Sequence, residues 1–447
     1  MLSSVSVVVV VLAATIYVVL LHFPRSALPE HVLGHPVIFR ENLVSAPVGK
    51  SLLEHMKEIS VFPSNMAADL KTAVKVTSNE EIGEGQPLNA ANGCDHPFLS
   101  PNMNKTLCVF PQRVDVGKSF ITSGGVDGLQ ELYETMISRT SSFGQYNFFI
   151  KNETVVHPAV SALFRSAKFQ SVSEAVCPKH KQIIDPFQYN FIINVPGQSV
   201  PLHLDSPSFE GGGTRKNYPQ WLLVAMVFSG FFKKSHIDTV QVVAYLHEWT
   251  PTKEQAGDFV YYRKDSSRFE SIPALPLAGT GVDGTKTVHA ARTYMPHATV
   301  PKMSKDKDSQ LVYKGGDSDE WEIQIDGEGV KTYTTNDLRI AIVYRARCFE
   351  SPATRDVFHE EGAGLLVHDN MTLDVILGTF TADLTKRGIL TAESAQTMSR
   401  LDLAILIMDT YIQYPLPDPS ISISPYNICA LARVYPSLKP ALSLVCR

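Results

Sequence analysis

"VPLHLDSP" (200–207) stands one residue after the alternating run "YNFIINVPGQ" (189–198). A strand that ends on plain core residues has no need of a histidine and an aspartate two positions apart. Side chains at i and i+2 on a strand share a face, so His203 and Asp205 project together, about 7 Å apart at the backbone. At that spacing an imidazole nitrogen and a carboxylate oxygen can converge on one metal ion. The plain alternative is a surface strand end with two polar residues. His-x-Asp recurs by chance, so its surroundings must decide.

Those surroundings read as β-structure. "FQYNFIINV" (187–195), "TVQVVAYLHEW" (239–249), "GDFVYYR" (257–263), "TKTVHAARTY" (285–294), "EWEIQID" (320–326) and "DLRIAIVYRARCF" (337–349) are strand-like runs separated by turn residues, as in a barrel or sandwich. "PQWLLVAMVFSGFF" (219–232) is too short for a confident membrane span and reads as a buried segment. Helical spacing marks 124–144, 157–169, 371–390 and 391–413. The division expected is an anchor or signal segment over 1–23, a stem over 24–93, a helical support region over 94–186, a strand-rich core over 187–350 and a helical region over 351–447.

A third metal ligand is expected on another strand of the same sheet system, and "DGTKTVHAARTYMP" (283–296) offers His289 within an apolar strand. Two histidines and one carboxylate on one face leave three coordination positions open, the arrangement of non-haem Fe(II) oxygenases. An oxygenase of this kind needs a reductant for O2, commonly 2-oxoglutarate, whose far carboxylate is suited to a buried arginine. Arg339 opens an apolar strand that otherwise has little reason to carry charge.

The order "PGQSVPLHLDSP", "YLHEW…GDFVYY", "VHAARTY" and "LRIAIVY" resembles the Fe(II)/2-oxoglutarate dioxygenase superfamily, in its prolyl-hydroxylase-like branch, over roughly residues 187–349. The resemblance implies an α+β fold with a double-stranded β-helix (jelly-roll, cupin-like) core flanked by helices. It implies Fe(II) on His203, Asp205 and His289, 2-oxoglutarate on Arg339, and ascorbate as an accessory reductant. Two departures stand out. Fifty positions separate His289 from Arg339, where the family has a short hairpin, and the charged stretch 302–320 is a candidate insertion. Arg345 and Arg347 lie on the same strand, and Arg345 shares Arg339's face, so either Arg339 or Arg345 can hold the cosubstrate. "EGGGTRKNYPQW" (210–221) is a candidate lid. His247 reads as a strand-end histidine bonded to backbone and His297 as a surface residue. Tyr245, Tyr261 and Tyr262 read as core aromatics.

The 447 residues are 44% hydrophobic and 19% charged, which describes an ordered chain rather than a disordered one. With a formal charge of -5 and no Lys/Arg run, a nucleic-acid partner is not expected. "VSVVVVVLAATIYVVLLHF" (5–23) is long enough to cross a bilayer and has no basic residue before it. An uncleaved anchor is expected, with a cleaved signal and secreted form as the alternative. Arg25 argues for a cytoplasmic main domain. Sequons at Asn104, Asn152 and Asn370, and Cys94 and Cys108 flanking one loop as a candidate disulfide, argue for an endoplasmic-reticulum or Golgi lumen. The lumen is the expectation adopted. The six cysteines form no CxxC pair, which excludes a zinc ribbon. Two other functions fit parts of the chain. Anchor and stem suit a glycosyltransferase, with Asp306-Lys-Asp308 or Asp317-Ser-Asp319 as its metal motif. A non-enzymatic cupin-like binding module would keep the barrel without the chemistry. Peptide, lipid, sugar and small metabolite all remain open as substrate.

Overall fold

The computed structural model describes residues 28–65, 86–94, 99–101, 106–109, 138–148, 157–252, 256–263, 269–303, 307–315 and 319–414. The span over 5–23, Asn104, Asn152, most of the helix expected over 124–144 and everything after 414 lie outside them. No described helix is long and apolar enough to cross a membrane.

In chain order the fold begins with β1 (Val37–Arg40), helix α1 (Ala46–Ile59), β2 (Val61–Pro63), β3 (Phe143–Phe148), α2 (Pro158–Phe164) and α3 (Ala167–Val176). The core strands follow: β4 (Ile183–Asn194), β5 (Val200–His203), β6 (Thr239–Tyr245), β7 (Phe259–Tyr261), β8 (Glu270–Ile272), β9 (Gly279–Val282) and β10 (His289–Ala291). Helix α4 (Gln220–Ser229) sits between β5 and β6. After β11 (Ser309–Tyr313), β12 (Glu320–Ile325) and β13 (Glu328–Thr334), the last core strand is β14 (Arg339–Phe349). Helices α5 (Pro352–Glu360), α6 (Leu373–Lys386) and α7 (Arg400–Tyr411) complete the described chain.

Two antiparallel sheets carry the barrel, in the orders β1-β9-β6-β14-β4-β3 and β8-β7-β10-β5. The chain passes between the sheets as it goes from β4 through β10 to β14, which is the winding of a double-stranded β-helix. Strand parity then sorts the side chains. On β6, Val240, Val242 and Ala244 face outward into the core formed with α1, α2 and α3, while Val243 and Tyr245 face inward. On β14, Ile340, Ile342 and Tyr344 go outward, and Arg339, Ala341, Val343 and Arg345 share the inward face. Two charged residues on the inner face of so apolar a strand mark the barrel interior as the place where chemistry is held.

Several sequence expectations shift. Residues 28–65 are not stem: β1 pairs with β9 at the edge of the six-stranded sheet, and α1 buries Leu52, Leu53 and Met56. The helix expected over 157–169 is two helices, because Ser166 caps the second through Phe169 N (3.3 Å). The segment 391–413 breaks likewise at Ser399, whose hydroxyl accepts from Asp402 N (3.1 Å). The stretch 219–232 is buried, as expected, and helical. Trp221 to Phe228 are enclosed on every side by α6, α7 and the chain's early segment, so α4 needs no polar face.

The stretch between His289 and Arg339 supplies β11, β12 and β13, which with β2 form a separate sheet, β13-β12-β11-β2. It lengthens the connection without displacing β14 from between β6 and β4. Cys94 is bonded to Cys108, as the loop reading expects. A second disulfide, Cys177–Cys348, ties the end of α3 to β14. No local pattern announces it, because the two cysteines are 171 positions apart.

Candidate metal centre

His203 ends β5 and His289 begins the neighbouring β10, and the two residues are direct cross-strand partners. Their ring centroids are 4.3 Å apart. Asp205 lies two residues beyond His203, where its backbone N–H donates to Gly284 O (2.8 Å). One ligand atom from each of His203, Asp205 and His289 lies within 4.8 Å of the others, and all three residues are buried. The fold therefore brings together the three residues that the sequence nominated.

The donor set suits a divalent ion. His203 Nδ1 pairs with Pro201 O and His289 Nδ1 with Thr287 O, each at 2.8 Å. A carbonyl only accepts, so each Nδ1 carries the proton and each Nε2 presents a lone pair. Burial, followed by the neighbouring His203, pulls His289 down to about 4, so its ring is neutral at pH 7. Burial alone would raise Asp205. The Arg345 guanidinium foremost, then His203 and His289, hold its carboxyl far below the usual carboxylate range. Asp205 Oδ2 is buried without a hydrogen-bond partner, an expensive state for a carboxylate oxygen that a cation would relieve. A methyl group at Gly284 would collide with that oxygen, so the backbone there leaves the carboxylate its room.

Sequence reasoning missed Gln241. It sits inward on β6, its Nε2 is 3.3 Å from His289 Nε2, and its Oε1 is unpartnered. An ion on that histidine takes the lone pair to which Gln241 donates, so the amide must give way. The available signal was a lone polar residue in the apolar run "TVQVVAY" (239–245).

The structure separates the two arginines. Arg345 is committed: NH2 lies 3.4 Å from Asp205 Oδ1, and NH1 donates to Asn190 Oδ1 (2.8 Å). Arg339 is buried at the other end of the shared face, with Ala341 and Val343 in the interval. Its Nε donates to Gly257 O (2.9 Å) and NH1 to Asn194 Oδ1 (3.2 Å), and the guanidinium lies over the Tyr245 ring. Gly257 has φ +85° and packs against this side chain, so only glycine suits the position. Among the described residues no carboxylate lies within 4.0 Å of Arg339. A buried guanidinium with neutral partners alone is a place for an incoming anion.

His247 behaves as read from sequence, with Nε2 at Ala274 O (2.7 Å) and Nδ1 at Ile340 O (3.4 Å). His297 is exposed. Tyr245 is core, yet its hydroxyl also lies 3.5 Å from Arg339 NH2. The candidate lid is tied down: Thr214 Oγ1 and Asn217 Nδ2 donate to Gly364 O, at 3.0 and 2.9 Å.

Buried histidines give a pH prediction. Burial lowers His236 to about 3 and His247 to about 4. The unfolded chain therefore takes up these protons first, near pH 6.5, and stability falls as the pH drops from there towards 4. At pH 5 each costs about 2 kcal/mol. Asp238, lowered to about 2 chiefly by Lys286 and Lys181 acting against burial, changes stability only below about pH 4, outside this window. Urea denaturation should show the loss between pH 7 and pH 5, and His247→Asn should remove part of it. A flat profile would contradict neutral burial.

Solved structures similar to this chain include 2-oxoglutarate–Fe(II) oxygenases, among them prolyl hydroxylases. A Pseudomonas putida prolyl-4-hydroxylase shares 7% identity at a TM-score of 0.27, over 70% of this chain and 92% of its own. A Trichoplax adhaerens prolyl hydroxylase, solved with a hypoxia inducible factor peptide fragment, shares 8% at 0.29, over 70% and 83%. A viral collagen prolyl hydroxylase from Paramecium Bursaria Chlorella virus-1 shares 10% at 0.23, over 46% and 79%. No family profile matches the chain, nor does any curated protein. The functional reading rests on the side chains above.

Proposed function

We propose that the protein is an Fe(II)- and 2-oxoglutarate-dependent dioxygenase that hydroxylates an unactivated C–H bond. The observation that carries this reading is the buried His203–Asp205–His289 set inside a barrel whose facing strand holds a buried arginine with no carboxylate within 4.0 Å among the described residues. In this reading the three residues hold Fe(II) and Arg339 pairs with the far carboxylate of 2-oxoglutarate. Bound Fe(II) with this cosubstrate supplies O2 activation coupled to oxidative decarboxylation to succinate. The chain's own residues do the rest. Pro201 and Thr287 carbonyls fix the two imidazoles, Arg345 fixes the orientation of Asp205, and Ala341, Val343, Val243 and Ile192 keep the space between the arginines apolar. The purified protein, given Fe(II), 2-oxoglutarate and O2, should release succinate slowly without any added substrate. No succinate, with iron bound, would sink the reading.

The glycosyltransferase reading loses its motif residue Asp319, whose carboxylate pairs with Lys57 and accepts from Thr335. Asp306 and Asp317 lie outside the described residues. A third reading, the binding module, gives no reason for an arginine buried with neutral partners among the described residues, opposite an intact ligand set.

Gly284→Ala crowds the metal ligands, Asp205 foremost and the His289 ring next. The added methyl displaces Asp205 Oδ2 while strand pairing stays intact, so Fe(II) affinity should fall about 10- to 100-fold. Titration of the metal-stripped protein checks this, and an unchanged affinity would argue against a metal held by Asp205 and His289.

The lumen is the proposed compartment, on the strength of two disulfides among the described residues and an exposed sequon asparagine, Asn370. Endoglycosidase treatment of protein from its native host should shift its mobility on a gel. No shift, with all cysteines reduced, would place the domain in the cytosol.

A further inference from the structure

Between β9 and β10 the chain leaves the six-stranded sheet and enters the four-stranded one, so the connecting turn, residues 283–287, belongs to neither ladder. What fixes it is Asp283, which is buried. The Asp283 carbonyl closes the turn by accepting from Lys286 N (3.2 Å) and Thr287 N (2.9 Å). Its carboxylate accepts from Thr285 N (3.0 Å) and Thr285 Oγ1 (2.6 Å) within the turn. It also accepts from Thr239 N (3.2 Å) and Thr239 Oγ1 (2.9 Å), 44 positions earlier at the start of β6. Thr285 Oγ1, donating to Asp283, accepts in its turn from His236 Nε2 (3.2 Å), a ring that burial keeps neutral.

The same turn reaches two of the three metal-binding side chains. Gly284 O accepts from Asp205 N (2.8 Å), and the Gly284 backbone packs against the Asp205 carboxylate and the His289 ring. Thr287 O holds His289 Nδ1 (2.8 Å). We propose that Asp283 is a positioning residue of the metal centre, pinning this turn to β6 so that Gly284 and Thr287 hold Asp205 and His289 in fixed relation. The inference rests on the metal-centre reading above. None of the bonds to the Asp283 carboxylate comes from a metal ligand, so it acts through the turn. An ordinary turn cap needs donors only from its own turn. Here half of the donors stand on another strand, the one that also carries Gln241 beside His289. Bonds buried this deeply are the ones most felt when one partner changes, because the group left over cannot turn to water. Lys286 pairs with Asp238, so the turn stays attached when Asp283 is altered and only its fine placement is lost.

The test is Co(II) titration of the metal-stripped full chain. Visible ligand-field absorption reports the ligand geometry, and thermal unfolding of the metal-free protein is followed in parallel. Asp283→Asn keeps the shape but turns an amide N–H towards the threonine donors. It should weaken Co(II) about tenfold, as changes to the outer partners of metal ligands do, and alter the absorption. Thr285→Val loses the hydroxyl and should weaken Co(II) about threefold, while Thr285→Ser should bind like wild type. His247→Asn is the stability control and should lower Tm with affinity and absorption unchanged. Wild-type affinity and absorption in Asp283→Asn, beside a weakened His203→Ala, would overturn the inference and leave the metal centre standing. An equal loss of affinity in His247→Asn would also overturn it, because general loosening would then explain the effect. No Co(II) bound by wild type would overturn both.

Discussion

His203→Ala and His289→Ala each lose iron and 2-oxoglutarate turnover while the protein stays folded. Outer-shell partners of metal ligands are worth about 10- to 100-fold in metal affinity, so losing a direct ligand should cost about a hundredfold or more. Neither ring carries the apolar core: both point into the barrel, each bonds a carbonyl two residues earlier in the chain, and His289 has Gln241 as its one further partner. Asp205→Glu should fail as well. The carboxylate sits between Arg345 and Gly284 with no slack, and an added methylene moves it by more than a site of this kind tolerates. His247→Asn is the control, a buried histidine bonded to two carbonyls, and should lose stability without losing iron. Iron content after desalting and circular dichroism decide the matter together. If His289→Ala retains stoichiometric iron and full succinate release, the ligands lie elsewhere.

How much of this was legible beforehand follows from what each signal depends on. His203 and Asp205 were readable because strand parity is local: two residues apart means one face, whatever the rest of the chain does. His289 was readable because a histidine in an apolar strand is conspicuous. That the two histidines would be direct partners across adjacent strands was not readable, since cross-strand register depends on how distant segments pair. Short strands escaped for a related reason. "GTGV" (279–282) has too little side chain to show a period, yet as β9 it completes the six-stranded sheet between β6 and β1. Residues 28–65 looked like stem because their polar content hid a helix whose buried stripe is only a few residues wide. The roles of Gln241 and Gly284 could be seen only after the sheets had closed, because each acts on a residue far away in sequence.

Arg339→Lys should raise the KM for 2-oxoglutarate about 10- to 100-fold and leave iron affinity near normal. Lysine keeps the charge but loses the planar fork that pairs with a carboxylate through two parallel hydrogen bonds, a loss on the order of 1–3 kcal/mol. The position is also tuned to a guanidinium. Nε and NH1 are already held by Gly257 O and Asn194 Oδ1 and the ring of Tyr245 lies beneath, so an ammonium would have to choose between those partners and the ligand. Arg345→Lys is the informative comparison, because sequence parity alone left both arginines eligible. Its guanidinium is occupied by Asp205, Asn190 and Gln188, so the KM for 2-oxoglutarate should change by less than about threefold, within what one weakened neutral hydrogen bond explains. KM values measured at saturating Fe(II), beside iron titrations on the same preparations, distinguish the two arginines. A larger KM effect in Arg345→Lys than in Arg339→Lys would mean that the cosubstrate lies at the Asp205 end of β14, with Arg339 a structural cation. No effect in either would remove 2-oxoglutarate from the proposal and leave a metal centre in need of a different reductant.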